Sequence, residues 1–263
     1  STGSMTATRI AGAAGAGLLI SSVGFGGAYA VMSFMYIGAI FSTWMLRPLE
    51  HHRSGYQGIR SMGTDLIDGL KYAWRSPDIR GVLIISLGWF TFGMAFMQVF
   101  APLFAVQILD IGYKGFGYMV SVSAIGGLAG ALVLAAANPS KGRGLMMLGL
   151  LALFGILLIT FSASTYLLSV PLAFAIMLFL GAGQSAFMPL INAILVEKAE
   201  ENMRGRVLGA LSLDRAMTTF GGALAGFCAA ALGAQVSQIV FGLGLIITAA
   251  AMFVFYPALR KIQ

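Results

Sequence analysis

The sequence predicts an all-α polytopic membrane protein, a bundle of about eight transmembrane helices. Three observations carry this expectation. Of 263 residues, 59% are hydrophobic and 10% charged, with a mean hydropathy of +0.90; a soluble domain carries about 25% charged residues. Apolar runs of the roughly 20 residues needed to cross hydrocarbon recur along the whole chain. The basic residues between those runs fall almost entirely on one side.

Spans are expected at 10–25, 28–46, 81–109, 115–137, 144–163, 166–196, 207–233 and 236–258. The first two are separated only by the turn Gly24-Phe25-Gly26-Gly27. The third and sixth are over-long and contain Pro102, and Pro171 with Pro189, so tilt or kinks are expected there. The runs are continuous and apolar, unlike the ten-residue alternating segments of a barrel.

Fourteen of the sixteen basic residues fall in loops or termini on one side of these spans; Lys114 lies opposite and Arg215 lies inside a span. The positive-inside rule makes that side cytoplasmic and puts both termini there, in the cell's inner membrane. The net charge of +7 is thereby accounted for without nucleic acid. The single cysteine, Cys228, excludes an intramolecular disulfide. The adjacent His51 and His52 have no carboxylate or cysteine cluster beside them, so no metal or other cofactor is expected.

The long loop 47–80 is expected to hold a short amphipathic helix from about Asp65 to Arg75, capped by Thr64 and stopped by Ser76-Pro77. Leu66, Ile67, Leu70, Ala73 and Trp74 form its apolar stripe, which points to the inner membrane face.

Residues 12–48 and 221–257 align without gaps. Gly12 meets Gly221, Gly17 meets Gly226, Gly24 meets Gly233 and Pro48 meets Pro257. Six spans separate the copies, so both have the same orientation in the membrane.

Three stretches then carry a resemblance. Arg9-Ile10-Ala11-Gly12-Ala13-Ala14-Gly15-Ala16-Gly17 resembles an antiporter motif, with Ala13 where a proline is usual. Asp68 to Pro77 resembles the helix before a seventh span, and Arg204-Gly205-Arg206-Val207 the entry to an eleventh. The chain resembles the major facilitator superfamily, in its branch of bacterial drug and siderophore exporters. Its two halves are parallel repeats of six spans. The resemblance implies the fifth to twelfth of twelve spans. Residues 1–46 would close the N-terminal half, 47–80 would form a cytoplasmic linker, and 81–263 would be the C-terminal half. The missing N-terminal helices would then be a partner of this chain, which alone would not transport. The loop Asn138–Arg143 lacks the acid of the usual basic–acidic motif, which weakens the expectation of a charge latch.

The implied function is proton-coupled efflux of a small amphipathic molecule by alternating access. A non-transporting membrane subunit or scaffold, or an importer of the same superfamily, is the alternative. An enzyme is not expected: no catalytic motif is present. Asp214 and Arg215 are the ionisable residues well inside a span, where charge costs roughly 2.5–3.5 kcal/mol. Hydrocarbon favours a neutral carboxyl and a nearby guanidinium a charged one, so this pair is the candidate for proton coupling. Gln98, Gln184 and Asn192 are candidates for the substrate cavity. Gly12, Gly17, Gly221, Gly226 and the Gly126–Gly130 cluster are candidates for close helix packing. Arg204 and Arg206 belong to a cytoplasmic loop. The aromatic and Met-rich stretch Trp89–Phe104 is expected to line a greasy cavity or to face lipid.

Overall fold

In the computed structural model, residues 27, 29–43, 45, 70–137, 142–198, 203 and 213–260 are described. They form α1 (Tyr29–Thr43), α2 (70–75), α3 (Pro77–Ile108), α4 (Gly112–Ala137), α5 (Arg143–Tyr166), α6 (Val170–Lys198), α7 (Leu213–Leu232), α8 (Ala234–Phe255) and α9 (Pro257–Arg260). No strand occurs among the described residues. Seven of the eight expected spans coincide with these helices, and the first lies outside the described residues. Among the described residues, five helices are long and apolar enough to cross a membrane. The apolar parts of α1 and α7 are shorter.

Helix α3 starts four residues earlier than expected. Ser76 is extended and Pro77 takes the first helical turn, where its missing N–H costs nothing. Pro171 likewise sits in the first turn of α6. Pro189 lies inside α6, which runs on as one helix.

The helices meet along seams of small residues. On α4, a Cβ at Gly126 or Gly130 would overlap the main chain of Leu178 or Ala182 on α6. From the other side, a Cβ at Gly181 would overlap the main chain of Ser123. A second seam joins α5 to α8, where a Cβ on Gly155 would lie 2.6 Å from the Gly242 carbonyl. Lipid is as apolar as the helices, so such close backbone packing, rather than hydrophobic burial, holds them together.

Polar side chains add to the second seam. Ser162 Oγ donates to the Gln235 carbonyl at 2.8 Å, Gln235 Nε2 to Thr165 Oγ1 at 2.9 Å, and Gln238 Nε2 to the Leu158 carbonyl at 3.3 Å. Elsewhere the hydroxyls of Ser121, Thr160 and Thr248 donate to a carbonyl one turn back in their own helix. Hydrocarbon offers them no other partner.

Most of the large rings in the stretch Trp89–Phe104 point into the protein interior. Trp89, Phe96, Phe100 and Phe104 are fully buried and form the core. Phe96 and Phe104 each meet Phe161 of α5 edge-on at 5.2 Å, and Phe100 meets Phe241 of α8 likewise at 5.2 Å. Other residues of the stretch, Gln98, Val99, Pro102 and Leu103, line a groove; sequence could not separate the two faces, because both are mostly apolar.

Near the start of α3, the Arg80 guanidinium lies 5.3 Å from the Tyr256 ring centroid and 6.0 Å from that of Trp74. Gly81 packs beneath Leu259. These contacts tie α2 and the start of α3 to the end of the chain. Residues 64–69 of the expected amphipathic helix and its cap lie outside the described residues.

Arg143 at the start of α5 pairs with Glu197 near the end of α6. An ion pair is therefore present at this end of α5 and α6, where the loop 138–143 supplies no acid. Its acid comes from α6.

Candidate functional site: a glutamine-lined groove

Helix α3 is not regular. At 89–93, 96–100 and 104–108 it opens into wide turns. There the Met94 N–H reaches the Trp89 carbonyl at 3.1 Å and the Leu109 N–H the Phe104 carbonyl at 2.8 Å, five residues back rather than four. Pro102 contributes to this. It has no N–H for the Gln98 carbonyl, and its ring crowds that carbonyl in a regular helix.

The wide turns change which residues share a face. Gln98 and Gln107 are nine residues apart, which on a helix of 3.6 residues per turn places them on opposite sides. Here both are exposed and both line one groove of about 820 Å3 between α3, α7 and α8. Gln235 at the start of α8 completes it, its amide held by Thr165. Gly226 and Gly233 form part of the opposite wall. Gly233 has φ of +80°, a left-handed conformation that lets α7 turn into α8 within one residue. Gly222 leaves room for the Gln98 amide: a Cβ there would lie 3.0 Å from Gln98 Oε1.

The remaining lining is apolar apart from Tyr113, and it includes no charged side chain. Each glutamine offers one acceptor and two donors. The groove can therefore hydrogen-bond the uncharged polar edge of a molecule while covering its apolar body.

The other candidates are distributed. Gln184 on α6 is half-buried and donates Nε2 to Met94 Sδ at 3.5 Å, one turn of α3 away from Gln98. Asn192 is exposed further along α6 and does not line the groove. Gly221 lies against the Thr91 main chain, where a Cβ would overlap it. Gly226 instead has nothing within 4 Å, so it is a groove residue rather than part of a seam. Asp214 and Arg215 sit at the described start of α7, and their side chains lie outside the described residues. Gly12, Gly17, Arg204 and Arg206 also lie outside them.

Sequence reading missed Gln107 and Gln235. Both stand at the edge of an expected span, where a polar residue is ordinary. The signal that could have marked them is proximity to Pro102 and to the Gly233 turn.

The family model of the Major Facilitator Superfamily matches residues 1–213. This chain belongs to that superfamily. It is a multi-pass helical membrane protein in contact with the lipid bilayer. The chain is similar to the multidrug efflux pump Tap of Mycolicibacterium fortuitum, with 26% identity over 200 residues. That alignment covers 75% of this chain and 47% of the pump, so the chain spans about half the length of this curated relative. No solved structure matches.

Proposed function

We propose that this superfamily member takes part in proton-coupled export of a small amphipathic molecule by alternating access. The observation that carries the reading is its likeness, over 200 residues, to a multidrug efflux pump. The uncharged, partly polar groove supports it, because a surface of amides and apolar side chains suits amphipathic ligands of varied shape.

In this reading residues 1–46 belong to one six-helix half and 81–263 to the other, joined by a cytoplasmic linker. The two halves rock about a site near the middle of the membrane. Both ends of the chain lie in the cytoplasm and the membrane is the inner one; the one-sided basic residues support that orientation. Asp214 carries the coupled proton and Arg215 is its counter-charge.

The test is Asp214→Asn in the transporter reconstituted into liposomes with an imposed pH gradient. Uphill movement of a fluorescent amphipathic dye should be lost, while insertion and downhill movement persist. Full uphill transport by the variant would overturn the coupling role.

A further inference from the structure

Helices α4 and α5 are consecutive, and both pack along α6, yet they make next to no contact with each other. The gap is a groove of about 330 Å3, floored by α6 and by Phe154 of α5. Among the described residues, every side chain lining it is apolar. Left unfilled, a groove of this kind would forfeit dispersion contacts along all its walls. Water is a poor filler, because it needs two to four polar partners and finds none here.

The length and place of the groove identify what fills it. The Arg143–Glu197 pair, part-exposed on both sides, marks the level of water at one end. From Arg143, Met146 lies about 4.5 Å and Leu157 about 21 Å along α5 at 1.5 Å per residue. Both line the groove. The interval begins just inside the interface and runs the depth of one leaflet of a hydrocarbon core about 30 Å thick. Val133, Leu153 and Phe179, all exposed, flank the opening.

We propose that this groove binds one acyl chain of a membrane phospholipid from the leaflet at the Arg143 end. A linear hydrocarbon satisfies every wall, and its headgroup stays at the level of the ion pair. An amphipathic transport substrate would bring a polar group to a place without a partner for it.

The test uses the purified chain in nanodiscs containing a phospholipid with a diazirine on its acyl chain. After illumination, adducts are mapped by mass spectrometry. Labelling at Leu150, Leu153 and Phe179 should exceed that at the exposed Ile247 and Val254 of α8 several-fold. Ala129→Phe fills the groove from an exposed wall position and should remove the excess without lowering Tm or changing labelling at Ile247. Equal labelling at both sets, or an excess that survives Ala129→Phe, overturns the proposal. So does competition by an amphipathic dye, which would make the groove a substrate entrance. Disulfide trapping of Leu150→Cys to a cysteine placed within residues 10–25 would show the chain's own segment in the groove and also overturn it.

Discussion

The indole of Trp89 on α3 lies stacked on the ring of Phe187 on α6, with centroids 4.2 Å apart and planes 20° apart. Phe154 of α5 closes on the same indole at 4.5 Å. Three helices thus share one aromatic contact inside the first wide turn of α3. Such pairs add about 0.5–1.5 kcal/mol each beyond area burial. Phe187→Ala is expected to cost about 3 kcal/mol. The loss is of packing, since the surrounding lipid is as apolar as the core. Denaturation in mixed micelles measures it; a change below about 1 kcal/mol would show that this cluster does not hold the helices.

Glycines on this chain separate into two kinds, and alanine substitution distinguishes them. Gly126→Ala places a methyl group into the main chain of Leu178 and should sharply lower Tm. Gly226→Ala meets open space, and should be neutral or stabilising by up to about 1 kcal/mol through helix propensity. Equal effects of the two would contradict the seam between α4 and α6.

The Arg143–Glu197 pair joins the two ends of the α5–α6 hairpin. With both side chains partly exposed, a double-mutant cycle with Arg143→Gln and Glu197→Gln should give about 0.2–1 kcal/mol, reduced by salt. A coupling energy of zero would assign the pair no role in stability.

In the groove, Gln98→Leu and Gln107→Leu should each reduce export of an amphipathic dye, while Asn192→Leu should not. Gln235→Leu should also lower stability by about 0.6 kcal/mol, the usual worth of an interhelical hydrogen bond in a membrane, because it releases Thr165. Retained export by the Gln107 variant would separate the groove from the transport path.

Much of the architecture was legible because hydrocarbon thickness fixes span length. The helices α3 to α8 lie within a few residues of the apolar runs that announce them. The Gly126–Gly130 cluster likewise marked a place where backbones touch. What could not be read was the orientation of each helix about its own axis. In water, a buried face is apolar and an exposed face polar, and the contrast repeats with the helical period. In lipid both faces are apolar, so the buried Phe100 and the exposed Phe227 look alike in sequence. The same loss of contrast hid Gln107, whose face is set by turns that composition does not announce.

Those wide turns bear on how this chain is compared with its relatives. Each holds one residue more than an ordinary turn, so everything beyond it is rotated by about 100°. A homologue lacking one of those residues keeps the same span and the same loops. Its alignment to this chain then requires a gap in the middle of a transmembrane helix, where gaps are normally forbidden. Matched without that gap, Gln107 would be paired with a position facing another way, and a shared groove would pass for a chance polar residue.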